Sequence, residues 1–162
     1  MEQIKIQTGA NLSRLLQSTV NIPQAFTELV KNSIQNFSTF SKIDFNSSSV
    51  TVIDDGQGFD HVKDENGMSG FEKYFVFGNS YDMTGGKGVK LGQMGIGGKL
   101  ANDKLSNEID IHWIIETKNI HGKCFVVEYK PSGVEFLNDY SPELTEISPE
   151  ECSIPTESGT KI

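Results

Sequence analysis

The strongest hydrophobic pattern along the chain is helical. From Pro23 to about Phe40, Phe26, Leu29, Val30, Ile34, Phe37 and Phe40 recur at helical spacing and predict one long amphipathic helix with these residues on its apolar face. Pro23 suits the first turn, where its missing N–H costs nothing. A shorter helix is expected over 10–18, around Leu12, Leu15 and Leu16. Val50–Asp54 reads as a buried strand that follows a turn at Asn46–Ser49 and stops at Asp55-Gly56. Ser69 suits the cap of a short helix running through Phe77. Another helix starts near Gly97 and ends near Asp103. Residues 109–116, 123–130 and 133–137 read as strands separated by turns, the pattern of an antiparallel meander, with Trp113 in the core. Residues 2–6 suit an edge strand, and Gly159–Ile162 looks like the start of another.

Helices early, a meander late and one strand between them fit a single sheet with helices on one face, a two-layer α/β sandwich. The 162 residues make one domain, 1–162. Residues 138–158 hold three prolines, six acids and no bases, and read as an exposed loop, either solvated or a dock for a basic partner.

Charge narrows the function. A net charge of −8 repels phosphate backbones and argues against direct nucleic-acid binding. No apolar run has the length of a membrane span, and the first residues lack the basic-then-apolar order of a signal peptide, so a cytoplasmic protein is expected. Cys124 and Cys152 read as two unpaired thiols. His121 and Cys124 have ligand-like spacing but no second pair, and read as a surface turn.

Three constellations carry candidate chemistry. On the long helix, Glu28, Asn32 and Gln35 share one polar stripe. It is either solvent-facing or a carboxylate and an amide aimed into a site, where the first can position water and the second can bind a hard cation. Asp54-Asp-Gly-Gln-Gly58 ends a buried strand. It is either a plain turn or an adenine site, because a buried carboxylate accepts from adenine's amino group and repels the carbonyl of guanine. Third, residues 78–98 hold eight glycines, too many for a regular element, and the run leads into a helix. Lys87, Lys90, Lys99 and Lys104 lie in or near it against one acid, Asp103, which suits either a solvated loop or an anion. Neither the P-loop nor the Gly-x-Gly-x-x-Gly dinucleotide pattern occurs.

Together, Glu28-Leu-Val-Lys-Asn32, Asp54-Asp-Gly-Gln-Gly58, Gly92-Gln-Met-Gly-Ile-Gly97 and Gly159-Thr160 resemble, in order, the motifs of the GHKL or Bergerat-fold ATPases. The run at 92–97 looks most like the heat-shock chaperone, MutL and MORC-like branch. The resemblance implies a Bergerat-type sandwich with a mixed, mostly antiparallel sheet. It implies ATP and Mg²⁺ as ligands, with Glu28 as general base or water-positioner and Asn32 as the metal ligand. Asp54 would accept from adenine with support from Thr160, while Gly56 and Gly58 make room for the base. Gly92, Gly95, Ile96, Gly97, Gly98 and Lys99 would meet the phosphates. Phe77-Gly78-Asn79-Ser80 resembles the start of the family's ATP lid, expected over 78–95, with Asn79 among the nucleotide contacts.

Two departures qualify this picture. Gln35-Asn36 stand where the family often has Asp-Ala, so a supporting acid is missing. The family domain normally continues past its Gly-Thr strand, so the chain is expected to be a fragment. It then lacks the basic catalytic residue that some members take from a following domain, and its ATPase should be slow. The resemblance also implies a switch coupled to homodimerisation and to an unknown protein partner. Two alternatives stand beside it: an anti-sigma-factor-type serine kinase and a non-catalytic nucleotide sensor.

Overall fold

The computed structural model describes residues 2–3, 21–63, 65, 67–75, 97–106, 112–130 and 143–162. In chain order the elements are β1 (Glu2–Gln3), α1 (Ile22–Gln35), β2 (Ser41–Phe45), β3 (Val50–Asp54), α2 (Gly70–Phe75), α3 (Gly97–Leu105), β4 (Trp113–Lys118), β5 (Cys124–Tyr129), β6 (Glu143–Ile147) and β7 (Gly159–Lys161). The strands form one sheet in the order β1-β6-β5-β4-β7-β3-β2. Every described pairing is antiparallel, so the mixed sheet is not seen among these residues. Two local units, the β2–β3 hairpin and the β4–β5–β6 meander, are joined by β7 between β3 and β4.

Alternation along the strands sends one set of side chains toward the helices. Trp113, Ile115, Phe125, Val127, Tyr129 and Leu144 pack there with Phe59 of the β3–α2 loop and Phe71 of α2. The indole N–H of Trp113 donates to Asp103 of α3 at 2.9 Å, satisfying its polar atom inside the core. A second cluster joins Ala25 and Leu29 of α1, Val52 of β3 and Ala101 of α3, with Ile162 packed against both clusters.

Helix α1 is shorter than its periodicity predicts. It begins with a capping box, in which Asn21 Oδ1 accepts from Gln24 N–H and Gln24 Oε1 accepts from Asn21 N–H, each at 2.9 Å. It stops at Gln35 because Phe37 adopts a left-handed conformation, φ 61°. The N–H groups of Phe37 and Ser38 turn back to the carbonyls of Ile34 and Ser33 at 3.1 Å, the Schellman pattern usually built on glycine. Sequence carries no glycine there to announce the stop. The buried line of the helix is Ala25, Leu29 and Ser33. Ile34, Phe37 and Phe40, assigned by spacing to the apolar face, are 52%, 47% and 43% exposed.

Other expectations need similar adjustment. Strand β2 was not anticipated, since Ser41–Phe45 is a largely exposed edge strand. The acidic 138–158 stretch is not one exposed loop: 143–147 is β6, paired with β5, and Ile154 is buried. Ser69 does cap α2, its Oγ accepting from Glu72 N–H at 3.2 Å while Glu72 Oε2 accepts from Ser69 N–H at 2.7 Å. The expected helix at 10–18 and strand at 133–137 lie outside the described residues. Among the described residues, no helix is long and apolar enough to cross a membrane.

Candidate functional site

Three neighbouring strands place three polar side chains in a row. Asp54 at the end of β3 lies opposite Thr160 of β7, and Thr160 lies opposite Thr117 of β4. All three belong to the helix-facing set and are buried. Ser33 comes down from α1, its Oγ donating to Asp54 Oδ2 at 2.7 Å, and the Gly56 N–H donates to Oδ1 at 3.0 Å. Burial pushes the Asp54 carboxyl above its ordinary pKa, against the pull of these two bonds and of the Thr160 amide; the charge of Asp55 adds to the rise. Thr117 braces the row. Its hydroxyl donates to the Gly159 carbonyl at 3.0 Å and accepts from Phe59 N–H at 2.9 Å.

Asp55, one residue on, serves the backbone. Its carboxylate accepts from the N–H groups of Thr39 at 2.7 Å and Phe40 at 3.0 Å, and from the Thr39 hydroxyl. Those bonds, led by the Thr39 hydroxyl, hold its pKa below the ordinary value. Of the Asp-Asp pair, the first lines a cavity and the second fixes the chain leaving α1.

The two glycines that follow use their space within the protein. A Cβ on Gly56 would lie 2.7 Å from the Asn36 carbonyl. Gly58 has φ 67°, and a Cβ there would lie 2.3 Å from the Lys118 carbonyl, so only glycine fits. These contacts bind the β3–α2 loop to the end of α1 and to β4.

Above the row, in the seam between the two apolar clusters, opens a small cleft. Its walls include Asn32 and Gln35 of α1, the C-cap residue Asn36, Asp54, Thr160 and Tyr74, with Leu29, Val52, Phe59 and Ile162 supplying apolar surface. This is the composition of a small-molecule site: mostly apolar walls and a few convergent polar groups. At one side of it, Gly98 brings α3 against α1. A Cβ there would lie 2.6 Å from the Tyr74 hydroxyl and 2.7 Å from Asn32 Nδ2. Among the described residues, Asn32 Nδ2 and Asn102 Oδ1, both buried, have no hydrogen-bond partner. Burial pushes the Tyr74 phenol well above its usual range, and its oxygen accepts from Asn102 at 3.3 Å.

The structure thus brings Asn32, Asp54, Thr160 and Gly98 to one place. Glu28 stands one turn before Asn32 but is not among the cleft's lining residues; it forms an ion pair with Lys31 at 2.6 Å. Gly97 opens α3, and Lys99 follows within it. Asn79, Gly92, Gly95 and Ile96, the expected lid over 78–95, and Lys87 and Lys90 lie outside the described residues. Sequence reading missed Ser33, Thr117 and Tyr74. The first two matter through partners 21 and 42 residues away, which no local pattern reveals. His121 sits in a turn whose N–H groups, its own and that of Lys123, bond to Asn119 Oδ1 at 3.0 Å, while Cys124 is buried in β5.

No protein-family model matches the sequence, and no curated protein matches it. Among solved structures, the chain is similar to the ATP-binding domain of topoisomerase IV from Francisella tularensis, solved in complex with a small-molecule inhibitor. The TM-score is 0.57 at 18% identity, across 99% of this chain and 72% of that one. The likeness is one of fold: an antiparallel sheet with helices packed on it. Within that fold, the polar row and the cleft above it form the candidate binding site.

Proposed function

We propose that the chain is a GHKL ATP-binding domain that takes Mg-ATP into this cleft and hydrolyses it slowly, as a nucleotide-driven conformational switch. The observation that carries this reading is Asp54: a buried carboxylate on the wall of a cleft, in an ATP-binding fold, bonded by Ser33 and Gly56. A carboxylate has about four acceptor sites, so capacity remains for adenine's amino group. A charge-assisted bond there contributes roughly 1.5–3 kcal/mol, about 10–100-fold in affinity. Guanine would turn a carbonyl toward the same carboxylate and be rejected. Thr160, braced by Thr117, supports the adenine contact.

Asn32 and the first turn of α3 are assigned to the phosphate end, with Gly97, Gly98 and Lys99 in that turn. Mg²⁺ keeps several waters and binds mainly through phosphate oxygens, so one amide oxygen from Asn32 suffices on the protein side. Glu28 is assigned to the attacking water, and its carboxylate must leave Lys31 to reach it. The Gly-Gln-Met-Gly-Ile-Gly run supports the chaperone, MutL and MORC-like branch, in which ATP favours a closed, dimerised state.

Calorimetry with Mg-ATP and Mg-GTP tests the assignment: ATP should bind and GTP should not, and equal affinities would refute the role of Asp54. Glu28→Ala should cut phosphate release by roughly 10²–10⁴-fold while ATP still binds. A second reading, a non-catalytic sensor, is favoured by the Lys31–Glu28 pair and by Gln35 on the cleft wall. ATP binding with no turnover in the unmodified chain would select it.

A further inference from the structure

The face of the sheet turned away from the cleft holds a second organised cluster. Residues 148–158 leave β6 through a turn, in which Ser148 N–H and Oγ both donate to Glu151 Oε2 at 3.0 Å, and cross this face. Ser153 donates to Glu116 of β4 through its N–H and its hydroxyl, and Lys161 of β7 donates to Ser153 Oγ at 2.7 Å. Further on, Lys118 of β4 donates to the Thr156 carbonyl at 3.1 Å. Beneath the crossing lies Cys124, which opens β5 between Ile147 of β6 and Lys118 of β4 and is 1% exposed. Cys152, only partly buried, precedes Ser153 on this crossing and is near enough to raise the pKa of the Cys124 thiol and lower that of Glu116.

We infer that Cys124 and Cys152 are a redox pair, which a small disulfide oxidant converts into an intramolecular disulfide that staples residues 148–158 to β5. The bonds of Ser153 to Glu116 and of Lys118 to the Thr156 carbonyl seat the Cys152 segment over β4 at the strand position paired with Cys124, and Cys152, the residue that must move, belongs to a loop. Burial first, and then the contact with Cys152, push the Cys124 thiol up to about 11, so the more accessible Cys152 begins the exchange. Its thiolate attacks one sulfur of oxidised glutathione, forms a mixed disulfide and expels one glutathione thiolate, which takes up a proton. The Cys124 thiol then gives its proton to water, and its sulfur attacks that of Cys152, expelling the second glutathione. Two protein thiols are oxidised, and one glutathione disulfide is reduced to two thiols.

The test uses the reduced full chain, incubated with oxidised glutathione, quenched in acid, alkylated under denaturing conditions and mapped by mass spectrometry. A monomer lighter by two hydrogens, with the Cys124 and Cys152 peptides joined, is the expected result. Its thermal midpoint should rise by roughly 5–10 °C, reversed by dithiothreitol. Cys152→Ser should leave Cys124 open to alkylation and abolish the rise. Glutathione retained on Cys152, or chains joined through Cys152 while Cys124 still alkylates, would overturn the inference. The mapping needs no nucleotide, so its outcome is separate from that of the ATP reading.

Discussion

Asp54 of β3 is a buried carboxylate and Glu116 of β4 a partly buried one, on opposite faces of the sheet, and their environments treat charge in opposite ways. Asp54 is 7% exposed, and its bonding partners are neutral: a hydroxyl and backbone amides. Desolvation wins, and its pKa rises. The Glu116 side chain is 13% exposed and suffers desolvation too, but two bonds from Ser153 and the ammonium of Lys161 outweigh it, and its pKa falls. The outer face has met its carboxylate's needs internally. The cleft face has left a charge under-compensated beside open space, where a ligand's donor gains the most. Charge in a fold marks a binding function where the protein has stopped short of satisfying it.

The contrast can be broken by substitution. Asp54→Asn should lower Mg-ATP affinity by about 10–100-fold in calorimetry, whereas Glu116→Gln should leave it within about twofold. Equal losses would mean that the two faces are not separate. On stability the ranking reverses. Glu116→Gln leaves Lys161 and one Ser153 donor poorly paired and should cost about 1–3 kcal/mol in urea unfolding at neutral pH, more than Asp54→Asn.

The finest discrimination is the pH profile. Asp54, with its pKa raised above 3.8, contributes stability below that value that is lost as pH rises through its folded pKa. Glu116, lowered from 4.5, contributes stability above that value that is lost as pH falls. Relative to the unmodified chain, Asp54→Asn should therefore gain stability as pH rises above 3.8, and Glu116→Gln should lose it as pH rises toward 4.5. Slopes of the same sign would refute the comparison.

Much of this was legible in the sequence. Helix α1, the buried strand β3, α2 with its cap and the β4–β5 hairpin follow from periodicity and punctuation, and Asp54, Asn32 and Thr160 from motif spacing. What escaped was decided by contacts across the chain. Helix α1 ends where Phe37 accepts a left-handed conformation that local preference resists, and Asp55 secures the turn from 15 or 16 residues away. Strand β6 alternates too briefly, among acids and prolines, to stand out. Ser33 reads as an ordinary helical serine until β3 brings a carboxylate beneath it. Of the polar stripe, Asn32 and Gln35 line the cleft, and it is their neighbour Ser33, not Glu28, that touches the row.

Strand β7 has a consequence for how the molecule assembles. The β2–β3 hairpin and the β4–β5–β6 meander are each built from nearby segments and can form early, yet β7 must arrive from far along the chain to wedge between them. Until it does, Asp54 lacks Thr160 at its side, and Thr117 has no Gly159 carbonyl to hold. A half-assembled chain would carry the hairpin and the meander but not the polar row, so the candidate site and the completed fold arrive in one step.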